Sequence, residues 1–145
     1  MEMDKRKELH KVIFKSVGTD VVIKAPFHWA YDENVSIGVH IFLNYDYVLL
    51  DDCPITIGSE VLIGPGCKII TSTHSLDYRF WRNRGAVISK IENDFFIVAG
   101  VTILPGVTGS DKVVVGVGSV VTQDIPPETI VAGILAKPIR KLEFD

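Results

Sequence analysis

Apolar residues recur along this chain at a fixed interval of six. Ile37, Leu43 and Leu49 open the series, Ile57, Ile63 and Ile69 continue it, and Ile91, Ile97, Ile103, Gly109, Val115 and Val121 carry it towards the C-terminus. Four places beyond many of these stands a small or β-branched residue: Cys53, Val61, Cys67, Thr73, Val101, Val107, Val113 and Ser119. Turn-forming stretches such as "IGSE", "GPG", "LPG" and "GSDK" lie between them. An interval of six suits neither a helix, with its period of about 3.6, nor a flat strand of alternating faces. It suits short strands joined by tight turns, each sending one long aliphatic side chain into a shared interior. Three hexads close a triangular coil, and coils stacked about 4.8 Å apart pair as parallel strands. The pattern predicts an all-β chain folded as a parallel β-helix. An antiparallel sandwich would not hold one register over most of its length. The hand of winding does not follow from the pattern.

A single coil cannot bury its own faces, so stability comes from stacking and the two ends need covers. One domain spanning 1–145 is predicted, with residues 1–15 as an N-terminal cap, coils over 16–74 and 91–128, and a C-terminal tail over 129–145. The interval of six fails between the two blocks of coils, and residues 75–90 are predicted to leave the stack as an extended loop. That loop starts directly after His74, a titratable ring placed where the pattern stops.

Composition narrows the classes of function. Apolar residues make up 47% of the chain, yet no run approaches the roughly 18 residues of a membrane span, so no membrane partner is predicted. The charged opening "MEMDKRKELHK" is followed only by "VIF", which predicts no secretory leader. A net charge of −3 lacks the basic face that a nucleic acid requires. Two cysteines without a leader predict reduced thiols and a cytoplasmic setting. Cys53 and Cys67 fall in the small inward slots, where core packing accounts for both. No set of His, Cys and carboxylate residues has metal-ligand spacing, so no metal is predicted. His10 falls in the cap, and His28 and His40 fall at turn or outward positions.

Two segments now point further. "NYDYVLLDDCPITIGSEVLIGPGCKIITSTHSLD" and "ILPGVTGSDKVVVGVGSVVTQDIPPETIVAGILAKPIRK" resemble the hexapeptide-repeat acyltransferases, closest to the maltose and galactoside O-acetyltransferase group. The resemblance extends over roughly residues 16–142. It implies a left-handed β-helix, a homotrimer with active sites between subunits, and transfer of an acetyl group from acetyl-CoA to a hydroxyl of a sugar or similar acceptor. On this resemblance His74 is the general base. An imidazole, with an ordinary pKa of about 6.5, can take the hydroxyl proton at neutral pH, and such a base contributes on the order of 10²–10⁴ in rate. Asn44 and Asp52 match positions that hydrogen-bond the acceptor, and Ala30 stands where the family places a polar residue against the sugar. The Ala99 backbone N–H matches the donor that meets the oxyanion of the attacked carbonyl. Matched coenzyme positions are Ala99, Val117, Thr122, Gln123, Lys137 and Arg140, the last two suited by charge to phosphates. In the family the loop reaches a neighbouring subunit, and here it carries Asp77, Tyr78, Arg79, Phe80, Trp81, Arg82 and Arg84.

Several positions depart from the family pattern. Phe96 replaces a tryptophan, Glu92 and Val98 replace glycines, Gln123 replaces a lysine, and Ile134-Leu135 replaces Asn-Pro or Val-Pro. The N-terminal helical segment of the maltose and galactoside enzymes is largely missing, with its acceptor-binding acid. Gly109 stands where an inward isoleucine is expected, which predicts a core gap costing about 2–5 kcal/mol if nothing fills it. Two other readings fit the same scaffold: an acetyltransferase for an antibiotic or a small metabolite such as serine, and a catalytically silent β-helical trimer acting as a binding scaffold. The metal-dependent hydratases of this fold need three histidine ligands, and His74 has no suitable companions.

Overall fold

The computed structural model describes residues 2–31, 33–82, 84–86 and 89–144. Helix α1 (Glu2–Ile13) leads into β1 (Ser16–Val17), β2 (Val21–Ile23) and β3 (Phe27–Trp29), the three sides of the first coil. The second coil is β4 (Val35–Ile37), β5 (Ile41–Leu43) and β6 (Tyr47–Leu50), and the third is β7 (Ile55–Ile57), β8 (Val61–Ile63) and β9 (Lys68–Ile70). The chain then departs as an antiparallel ribbon of β10 (Ser72–His74) and β11 (Arg84–Ala86). It returns as the fourth coil, β12 (Ser89–Ile91), β13 (Phe95–Ile97) and β14 (Thr102–Ile103). The fifth is β15 (Thr108–Gly109), β16 (Val113–Val115) and β17 (Val120–Val121), and β18 (Thr129–Ala132) and β19 (Lys137–Lys141) close the stack. Parallel pairing of like sides gives three flat faces: face A (β1, β4, β7, β12, β15), face B (β2, β5, β8, β13, β16, β18, β19) and face C (β3, β6, β9, β14, β17).

The interval of six becomes three aliphatic columns. Ile37, Ile57, Ile91 and Gly109 stack in register on face A. Leu43, Ile63, Ile97, Val115 and Val131 do so on face B, and Leu49, Ile69, Ile103 and Val121 on face C. All are buried. Each buried branched side chain contributes roughly 1.5–3 kcal/mol relative to exposure, so the shared interior holds the coils together. The corners need backbone that turns sharply. Between faces A and B, Asp20, His40, Glu60, Asp94, Lys112 and Glu128 all have positive φ. Between faces B and C, Asp46, Gly66, Gly100 and Gly118 do the same.

Both ends of the stack are covered. Below the first coil, Phe14 and His10 are buried, and the Phe27 ring stacks on Tyr47 at 5.1 Å. Burial lowers the His10 pKa, with a smaller push from Arg6. At the other end β19 runs antiparallel to β18 and occupies the open edge of face B, an edge that would otherwise pair with foreign strands.

Three expectations change. Cys67 is buried, its thiol donating to the Val98 carbonyl and pushed up in pKa by burial, but Cys53 is not in the core. Eight residues separate Leu49 from Ile57 rather than six, so this corner holds two extra residues, and Ile55 and Asp51 are the ones turned inward. Thr73 lies on the ribbon, because Thr71, fully buried, is the last inward residue of its coil. The gap expected at Gly109 is filled. A Cβ on Gly109 would lie 2.5 Å from Phe95 Cε2, so the Phe95 ring crosses the interior and occupies that space.

Candidate active site

His74 is the last residue of β10 and sits opposite Arg84 of β11. Within the stretch expected as an extended loop, the described residues include a short 3-10 helix, Tyr78–Phe80, and β11, which pairs back onto β10. Asp77 caps that turn: its Oδ1 accepts the Arg79 N–H at 3.0 Å, and its pairing with the Arg79 guanidinium holds the carboxyl below the usual range. The turn delivers the Trp81 carbonyl to the ring of His74, 2.8 Å from Nδ1. A carbonyl oxygen only accepts, so Nδ1 carries the hydrogen and donates it. In the neutral ring Nε2 then holds the free lone pair. The ring is exposed, so that lone pair is open to a substrate. The side chain of Arg84 lies outside the described residues.

The other candidates fall into two groups at different corners. Ala30, Asp52 and His74 lie on the corner between faces C and A, at the ends of the first, second and third coils, with Thr122 and Gln123 further up the same corner. Asn44, Ala99 and Val117 lie on the corner between faces B and C. Lys137 and Arg140 are exposed on β19 at the top of face B. A single chain does not bring the two groups together, because the width of face C separates them.

Local geometry leaves binding capacity at both corners. Asn44 Oδ1 accepts the Tyr45 N–H at 2.9 Å, so its amide nitrogen is left to donate. The Ala99 carbonyl accepts from Gly118 N–H at 2.9 Å, while the Ala99 N–H donates to no described residue. A Cβ at Gly64 would meet Ala99 N at 2.7 Å, so glycine at 64 keeps that donor uncovered. Among the described residues no group of three or more His, Cys, Asp or Glu could hold a metal ion. A hollow of about 440 Å³ lies elsewhere, between α1 and the first coil, lined by Glu8, His10, Lys11 and Asp20 among others. His74 does not line it and lies on an open, exposed corner.

Sequence reasoning missed Gly64, Asp51 and the Trp81 carbonyl. The "IGPG" turn held a signal for the first and the eight-residue interval for the second. A backbone carbonyl leaves no mark in a sequence.

No family model matches the chain. A Schizosaccharomyces pombe protein named as an acetyltransferase is 44% identical over 124 residues, covering 83% of this chain and 59% of that protein. The galactoside O-acetyltransferase of Escherichia coli is 35% identical over 97% of this chain and 70% of its own length. The crystal structure of a Vibrio cholerae hexapeptide-repeat acetyltransferase complexed with acetyl-CoA is 39% identical and covers 98% of this chain and 79% of that one, with a TM-score of 0.94. So close a superposition requires one hand of winding, and the coil is the left-handed one that the resemblance implied.

Proposed function

The chain belongs to the hexapeptide-repeat acetyltransferase family, related to the galactoside and maltose O-acetyltransferases, and from there we propose that it moves the acetyl group of acetyl-CoA to a hydroxyl of a sugar or similar small acceptor. One observation carries the mechanism: the Trp81 carbonyl fixes the hydrogen of His74 on Nδ1 and leaves Nε2 basic. Nε2 takes the proton of the acceptor hydroxyl as its oxygen attacks the thioester carbonyl. The oxygen of that carbonyl gains charge and meets the Ala99 N–H, which is not committed elsewhere. As the tetrahedral centre collapses, the carbon–sulfur bond breaks and the imidazolium returns its proton to the departing sulfur. Preorganised donors of this kind are worth about 2.7–4 kcal/mol of barrier. Asp52 and Asn44 hold the acceptor by hydrogen bonds, with the Ala30 methyl against it. Val117, Thr122 and Gln123 line the coenzyme's path, and Lys137 and Arg140 meet its phosphates as charges.

This assignment needs a second copy of the chain, since His74 and Ala99 occupy different corners of one triangle. A homotrimer, each subunit presenting one corner to the next, satisfies both. Two exposed apolar surfaces support it. The ribbon carries Leu76, Tyr78, Phe80 and Trp81 in the open, and Arg82 with them. The outward residues of face B form an unbroken apolar row: Val22, Phe42, Leu62, Phe96, Val114 and Ile130, each in register with the next. A contiguous apolar row on the outside of a sheet supports an interaction surface there. The reaction's setting is the cytoplasm, where acetyl-CoA is made and used.

The test is release of free thiol from acetyl-CoA by purified protein over a panel of methyl pyranosides. We expect turnover with at least one acceptor and a loss of about 10²–10⁴ in His74→Ala. No turnover above that variant across the panel would leave a silent scaffold.

A further inference from the structure

Asp51 takes no part in the chemistry above, and we propose that it is a positioning residue for the acceptor side, resting on that reading of the site. The residue precedes Asp52 and is wholly buried. Its Oδ1 accepts the N–H of Ala30 and the N–H of Tyr31, each at 2.9 Å. Its carbonyl accepts from Asn34 Nδ2 at 2.6 Å. Oδ2 is buried and has no hydrogen-bond partner among the described residues. One side chain therefore ties the corner of the first coil, which bears Ala30, to the corner of the second, which bears Asp52.

The tie continues upward. The Cys53 N–H donates to Thr71 Oγ1 at 2.9 Å, and that hydroxyl reaches the Leu50 carbonyl at 2.7 Å. Thr71 is fully buried and stands three residues before His74. Ala30, Asp52 and His74 thus project from three successive corners that two buried side chains hold in mutual register. The same corner in the fifth coil also uses a carboxylate, Asp124 Oδ1 accepting from Thr108 N–H at 2.8 Å, but Asp124 is exposed. Burying a carboxyl costs stability unless its hydrogen bonds compensate. Here that cost is met at the corner that carries the acceptor groups, and what it secures is placement: Ala30 and Tyr31 of the first coil are tied to the second-coil corner that bears Asp52. Loosening the segment should weaken acceptor binding and leave the coenzyme's path unaffected, since that path runs at the other corner, at Thr122 and Gln123 beyond the fifth coil, and on β19.

The experiment compares steady-state kinetics of wild type, Asp51→Asn and Asp51→Ala with methyl β-galactopyranoside, or the best pyranoside of the panel, and acetyl-CoA. Asp51→Asn keeps an oxygen for the two N–H groups and places an amide nitrogen where Oδ2 is buried without a partner among the described residues. We expect the acceptor KM to rise at least threefold in Asp51→Asn and tenfold or more in Asp51→Ala, with the acetyl-CoA KM within twofold. A merely structural role would lower the active fraction, so kcat would fall while both KM values held, and that result overturns the proposal. Equal rises in both KM values overturn it as well. If Asp51→Ala does not fold, the asparagine variant alone decides by the same criterion. Absence of turnover in wild type would instead remove the enzymatic reading and this inference with it, an outcome distinct from an unselective Asp51 effect in an active enzyme.

Discussion

Faces A and B are built from the same interior and differ in what they show to the outside. Inside, both present a column of stacked aliphatic residues in parallel register. Outside, face A shows Ser36, Thr56, Lys90 and Thr108, while face B shows Val22, Phe42, Leu62, Phe96, Val114 and Ile130. The inner column specifies the coil and cannot distinguish the faces. The outer row does. Face A is polar on the outside, and face B is apolar there.

The sharpest way to break the comparison is a charge at equivalent places on the two faces. Leu62 is 49% exposed in the protomer, so an aspartate there costs little in folding of the single chain. If face B is covered by another copy, Leu62→Asp should convert the trimer to smaller species by size-exclusion with light scattering and reduce turnover by about 10² or more, since the site loses one wall and with it a catalytic contribution of that order. Thr56→Asp on face A should leave both unchanged. Equal behaviour of the two variants would show that the apolar row is not an interface.

A second test separates inner from outer. Ile97→Ala, fully buried beneath face B, should lower stability by about 2–5 kcal/mol in denaturant unfolding, whereas Phe96→Ala next to it on the outer row should change protomer stability far less. Gly109→Ala comes next in size. The added methyl would meet the Phe95 ring at 2.5 Å, and overpacking of this kind costs about 1–3 kcal/mol. Combining it with Phe95→Leu should recover part of the loss, a coupling read from a double-mutant cycle.

The smallest effect lies at the corner where the two faces meet. His40 stands between Asp20 and Glu60, and hydrogen bonding and charge from Glu60, with help from Asp20, raise its pKa above the ordinary value. A raised value means that the folded state holds the proton more tightly. The contribution is complete below the unfolded pKa of about 6.5 and is lost as pH rises through the folded value. His40→Gln should therefore shift the denaturant midpoint downward at pH 5.5 and leave it unchanged at pH 9. His10, whose pKa burial lowers, works in the opposite sense: it costs the fold nothing above the unfolded pKa of about 6.5 and disfavours it as pH falls below that value.

The interior was legible in the sequence because each coil repeats one requirement, an aliphatic side chain at the same place on each side. Where a corner gained two residues, between Leu49 and Ile57, the rule of six misassigned Cys53, and Asp51 went unnoticed. The ribbon was visible only as silence in the pattern, since a pair of strands that leaves the stack adds nothing to the interior columns and needs no period. His74 could be singled out by its place at that silence, but its orienting partner is a main-chain oxygen supplied by a turn seven residues away. The apolar row on face B was present in the letters all along, as the residues between the inward ones. Reading only for a core passes over it.

Phe95 and Gly109 have a consequence for how this chain can drift. An aromatic ring rooted on one wall of the prism ends on the neighbouring wall, in the space a branched residue would otherwise fill. Neither position is free to vary by itself: a larger residue at 109 evicts the ring, and a smaller one at 95 opens a void. Descendants of this sequence should exchange the two together, so that bulk migrates from one wall to the other while the volume enclosed by that rung stays the same.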